Sequence, residues 1–135
     1  VKTESRSYVF ARYQLPAILW ACLIFAASSV ASSQIPDLSI FRFDKVIHFG
    51  IYFILALLIY RAFRNQDRFP ALARHALLFT LAAIVLYGAS DEFHQSFVPG
   101  RDCDIFDLLA DAAGGVMLIA LVWIKERFFT DSHPN

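Results

Sequence analysis

The chain has 135 residues, 58% of them hydrophobic and 18% charged, and its formal net charge is zero. A balanced charge with no basic tract excludes an electrostatic nucleic-acid binder, and the length allows one domain. The apolar share lies above that of a soluble domain and the charged share below it, so membrane spans are expected.

Residues 1–14 read as a tail carrying Lys2, Arg6 and Arg12. The first apolar run follows over Leu15–Ser33. Its basic lead-in and small-residue ending, AASSVASS, also fit a cleavable secretory signal, but the apolar core is long for one, and a retained span is expected. Pro36 closes that run, and further runs cover Val46–Phe63, Leu72–Ser90 and Ile105–Ile124. Each approaches the roughly 20 residues a helix needs to cross about 30 Å of hydrocarbon. A buried soluble helix would keep a polar stripe, and LLFTLAAIVLYGA and VMLIALVWI have none. The expected fold is therefore all-α: a four-helix transmembrane bundle over residues 15–124, with a short C-terminal tail at 125–135. Trp20, Trp123 and the tyrosines read as lipid or interface anchors.

Orientation follows from Lys and Arg at the span ends. The N-terminal tail, the second connection (Arg61, Arg64, Arg68, Arg74) and the C-terminal tail (Lys125, Arg127) share one side. Arg42, Lys45 and Arg101 share the other. Both termini should face the cytoplasm, with the first and third connections outside.

The unusual residues gather on that outward side. Asp44, His48 and Tyr52 are spaced i, i+4, i+8 and share one helical face. Glu92 and Gln95 share a face if the third helix extends that far, and Asp104, Asp107, Asp111 and Gly114 share a face on the fourth. Asp104 reads first as an N-cap. Asp111 lies roughly 9 Å into its span, where an ionised Asp costs on the order of 2.5–3.5 kcal/mol at mid-membrane. Lys45, Arg101, a cation or a proton must offset that cost, and intramembrane acids are candidate sites for this reason. Gly114 and Gly115 read as close-packing positions. The candidate ligand-binding set is Asp44, Lys45, His48, Tyr52, Glu92, Gln95, Arg101, Asp107 and Asp111. His48, Glu92, His94 and Asp107 are ligand types in no recognised metal spacing, so no metal or other cofactor is expected. Cys22 and Cys103 should be free thiols.

DKVIHFGIYFILA followed by YGASDEFHQSFVPGRDCDIFDLLADAAGG resembles the VanZ-like family of small bacterial membrane proteins. The family pattern falls on Asp44, Lys45, His48, Phe49, Tyr52, Glu92, Gln95, Pro99, Gly100, Arg101, Asp107 and Gly114, while Asp111 stands where the family more often has Asn. The resemblance implies a multi-span protein and, through the founding member, a link to glycopeptide antibiotic resistance, without implying a reaction. The leading expectation is an outward polar pocket that binds a cell-envelope or lipid headgroup, with membrane lipids as partners. An enzyme acting on a lipid-linked substrate at the same residues remains open. So does an accessory subunit of a larger respiratory or photosynthetic membrane complex.

Overall fold

Ser5 starts the first helix by accepting the Tyr8 N–H on its side chain, and the helical segment α1 then runs Arg6–Ser28. In this computed structural model residues 5–34 and 44–129 are described. The expectations placed on Lys2, Pro36 and Arg42 lie outside the described residues. α1 begins earlier than the apolar run at Leu15 because Tyr8, Val9 and Phe10 carry its apolar character outward. A π-helical turn over Phe10–Gln14 stands just ahead of Pro16. Proline offers no N–H to the carbonyl four residues back and its ring crowds that group, and a widened turn gives it room. α1 ends at Ser28, short of the expected Ser33. There the hydroxyls of Ser28 and Ser29 both bond back to the Phe25 carbonyl, at 3.0 and 2.7 Å, in competition with the backbone ladder.

A short 3-10 turn at Ser32–Gln34 follows, and then, among the described residues, the α-helices α2 (Asp44–Arg64), the short α3 (Pro70–Arg74), α4 (Ala76–Gln95) and α5 (Ile105–Phe129). α1, α2, α4 and α5 are each long and apolar enough to cross a membrane, and no strand occurs among the described residues. Pro70 occupies the first turn of α3, where its missing N–H costs nothing. α4 continues to Gln95, so Glu92 and Gln95 are helical.

The helices run up and down, with α2 packed on both α5 and α4. Gly114 makes the closest approach possible. A Cβ there would lie 2.7 Å from both the Phe49 carbonyl oxygen and the Phe53 nitrogen, so only a glycine lets the α2 and α5 backbones meet. The apolar core is small, built on Ile24, Tyr52, Leu55, Ala56, Ile84 and Leu118. Large apolar side chains such as Leu19, Leu86 and Trp123 point outward, while Thr80, Asp91, Glu92, Gln95, Asp107 and Asp111 are buried. That inversion suits a lipid solvent, in which the exterior is apolar and polar groups find one another inside.

Two residues read as anchors from the sequence also join helices. Trp20 donates its indole N–H to the Ile51 carbonyl at 3.1 Å, and Tyr87 donates its hydroxyl to the Ala21 carbonyl at 2.6 Å. Both join α1 to its neighbours, because a polar N–H or O–H at membrane depth is satisfied more readily by a facing carbonyl than by lipid.

Candidate functional site

One end of the bundle gathers the start of α2, the end of α4 and the start of α5. Asp104 caps α5 there, its side chain accepting the Phe106 N–H at 2.8 Å, as its position before the apolar run implies. It also belongs to the cluster. Lys45 of α2 donates to Asp104 at 2.5 Å and to Asp107, and lies 3.6 Å from Asp44. The hydrogen bond from Lys45, and then that from the Phe106 N–H, hold the Asp104 carboxyl below the usual carboxylate range.

One turn deeper, His48 Nδ1 lies 3.0 Å from Asp111 Oδ1, while its Nε2 faces Asp44 and Asp107 at 3.9 and 4.0 Å. Asp111 is fully buried, and Gly88 of α4 makes the space for it: a Cβ at that position would stand 2.9 Å from Asp111 Oδ2. Glu92 reaches across from α4 to accept the Asp104 backbone N–H at 2.8 Å, which ties the polar loop to the helix end. Below these groups Tyr52 stacks parallel to His48, ring centroids 6.4 Å apart, and its hydroxyl donates to Asp91 at 3.3 Å. Gln95 donates to the same Asp91 oxygen at 3.3 Å.

Eight of the nine candidate residues thus hydrogen-bond or ion-pair with one another or with Asp91 and Asp104. The exception is Arg101. Its backbone N–H bonds the Val98 carbonyl at 3.1 Å, its Nε is buried without a hydrogen-bond partner, and its guanidinium makes no ion pair among the described residues. The acids are held by Lys45 and His48, so Lys45 is already committed while Arg101 is not. Three carboxylate oxygens are buried with no partner among the described residues: Asp91 Oδ1, Glu92 Oε1 and Asp111 Oδ2.

Asp91 is the participant that sequence reasoning missed. It stands next to Glu92, about 100° away around a helix, and a one-face pattern admits only one of the two. α4 is covered on both flanks at this level, so both are buried. The signal available was the acidic pair Asp91–Glu92 directly after the apolar run that ends at Ser90. His94, two residues from Glu92 on α4, leaves the cluster. It bonds Ser29 of α1 at 3.0 Å and lies against the Phe25 ring.

A cavity of about 1000 Å³ lies elsewhere, lined by residues of α1, α2, α4 and the second connection, among them Arg6, Gln14, Leu55, Ala62, Phe69 and Tyr87. None of the nine candidate residues lines it. Two groups of side chains at the polar end could hold a metal ion, Asp44–His48–Asp107 and His48–Glu92–Asp111. Cys22 and Cys103 are both free and exposed.

Comparison with known proteins finds relatives of the chain. The chain matches the family model described as VanZ/LLP1 over residues 10–126. A curated protein of the fission yeast Schizosaccharomyces pombe, itself uncharacterised, is 35% identical over 86 residues, covering 62% of this chain and 50% of the yeast protein. The chain therefore spans about half the length of that relative. No solved structure matches.

Proposed function

The chain belongs to the VanZ/LLP1 family, and we propose that this multi-pass membrane protein binds the headgroup of a lipid or lipid-linked cell-envelope ligand at the polar end of its bundle. The observation that carries the proposal is the burial of Glu92, Asp107 and Asp111 beside His48 inside lipid-facing helices. Such groups are costly at membrane depth, and a bound polar ligand would use them. Arg101 supplies the anchor for a phosphate or carboxylate, because its guanidinium has no carboxylate partner among the described residues and offers a planar fork. The acids, with Gln95 and Tyr52, would orient hydroxyl or amine groups of the same ligand.

The bias of Lys and Arg toward the opposite end favours a polar end outside the cytoplasm of a bacterial cell. In that position the ligand would be drawn from the outer leaflet, and altered access to such a ligand is a route to the glycopeptide resistance associated with the family resemblance.

The test is a titration of fluorescent polyprenyl phosphate into phosphatidylcholine nanodiscs holding wild type or Arg101→Ala. Loss of one charge-assisted contact should weaken binding by about 10–100-fold. Superimposable curves would remove the proposal.

A catalytic variant of the reading is favoured by one observation. The His48 ring is held by Asp111 through one nitrogen while the other faces Asp44 and Asp107, an arrangement suited to general acid–base work. Incubation with lipid-linked precursors, read by mass spectrometry, separates turnover from binding alone.

A further inference from the structure

We propose that His48, Glu92 and Asp111 form a binding site for one divalent first-row transition cation, of the Zn²⁺ or Mn²⁺ kind, between α2, α4 and α5. The cation would sit at the polar end that the headgroup reading also uses, but it needs only side chains of this chain and does not rest on that reading.

One ring nitrogen of His48 and one carboxylate oxygen each from Glu92 and Asp111 lie within 4.8 Å of one another. The tightest pair, His48 Nδ1 and Asp111 Oδ1, is 3.0 Å apart. Adjacent ligands on a cation with bonds of about 2.1 Å stand roughly 3.0–3.4 Å apart, so this pair already has a bite of the right size. A cation there would replace the proton that the nitrogen and the oxygen now share.

A second and independent observation points to a ligand. Glu92 and Asp111 are 2% and 0% exposed, and each keeps one carboxylate oxygen, Oε1 and Oδ2, without a hydrogen-bond partner among the described residues. Glu92 spends its other oxygen on the Asp104 N–H. Neither acid has a Lys or Arg partner among the described residues. The overlapping group Asp44–His48–Asp107 differs in this respect. Lys45 stands against both of its acids, which leaves less need for a cation.

The surroundings suit the imidazole as a ligand. With Nδ1 on the cation, Nε2 carries the proton and faces Asp44 and Asp107, the outer-shell carboxylates that commonly orient a metal-bound histidine. One imidazole with carboxylates selects a transition cation over Mg²⁺ or Ca²⁺, which take oxygen ligands.

The experiment uses the full chain in mild detergent, stripped with chelator and titrated with Zn²⁺ against a chromophoric competitor. One equivalent should bind with a Kd of about 1 μM or tighter. Glu92→Gln and Asp111→Asn should each weaken it by about 10-fold or more, as loss of a ligand does, while His75→Gln at the opposite end should leave it unchanged. Absence of a stoichiometric site in folded wild type overturns the proposal. Equal affinity in Glu92→Gln and wild type also overturns it, because the ion is then held elsewhere. Where a variant fails to fold, pulsed electron paramagnetic resonance of Mn²⁺ bound to wild type decides: imidazole-nitrogen coupling supports the site, and its absence overturns it. The lipid titration reports separately, so either result can fail alone.

Discussion

His48 Nδ1 and Asp111 Oδ1 lie 3.0 Å apart across the α2–α5 contact, with Asp111 shut off from every solvent. Two polar groups from helices 63 residues apart in sequence therefore satisfy each other where lipid cannot. Removing one leaves the other buried and alone, which is costlier than never having had the pair. Asp111→Ala should destabilise the bundle by about 3–5 kcal/mol. Asp111→Asn keeps the shape and an acceptor oxygen, and should cost about 1 kcal/mol. Unfolding in mixed dodecyl sulfate micelles checks the order; equal losses would show that the contact contributes no more than volume.

Glycines at the helix contacts give a second comparison. A Cβ on Gly114 meets backbone atoms of Phe49 and Phe53 at 2.7 Å, and backbone cannot swing aside. Gly114→Ala should lower stability by about 1–3 kcal/mol through forced separation of α2 and α5. Gly50→Ala meets nothing within 4 Å and should stabilise by about 0.5–1 kcal/mol, as an alanine in a helix does. The same micelle unfolding measures both, and a Gly114→Ala protein as stable as wild type would contradict the packing.

Asp104 supplies the pH dependence. Its carboxyl is held below the ordinary 3.8, first by the Lys45 hydrogen bond and then by the Phe106 N–H. A depressed group contributes stability that is complete above its unfolded value and lost as pH falls through its folded value. Lys45→Met should move that loss to higher pH, toward the ordinary range. Carbon-13 titration of the Asp104 carboxyl by NMR in detergent reads the midpoint, which should rise in the variant. An unmoved midpoint would show that Lys45 does not govern it.

Much of this cluster is visible in the chain before folding, and the parts that are not have identifiable causes. The i, i+4, i+8 series Asp44, His48, Tyr52 and the series Asp104, Asp107, Asp111 are legible because a helix turns about 100° per residue and brings each series onto one face. Apolar runs give the four spans by length alone. Asp91 is illegible as a participant because burial on two sides of α4 depends on which helices flank it. The division of labour between Lys45 and Arg101 depends on helix register, and charge type alone does not reveal it. Gly88, which leaves room for Asp111, is read only once α4 and α5 are known to touch.

Cys103 tests the side of the membrane on which the cluster lies. It is exposed in the loop ahead of Asp104, whereas Asn65 and Arg68 lie in the second connection. In a Cys22→Ser background, a membrane-impermeant maleimide should label Cys103 on intact cells. It should not label a cysteine placed at Asn65 in a Cys22→Ser, Cys103→Ser protein until the membrane is broken. The reverse pattern would turn the polar end toward the cytoplasm and remove the outer-leaflet ligand.

The convergence of α2, α4 and α5 side chains is tested most directly in bilayers by solid-state NMR, through the dipolar coupling between histidine ¹⁵Nδ1 and aspartate ¹³Cγ. A coupling for a separation of about 4 Å or less, lost in Asp111→Asn prepared with labelled aspartate only, is expected for two groups in hydrogen-bond contact. Wild-type protein that shows no such coupling would place His48 and Asp111 apart and contradict the site.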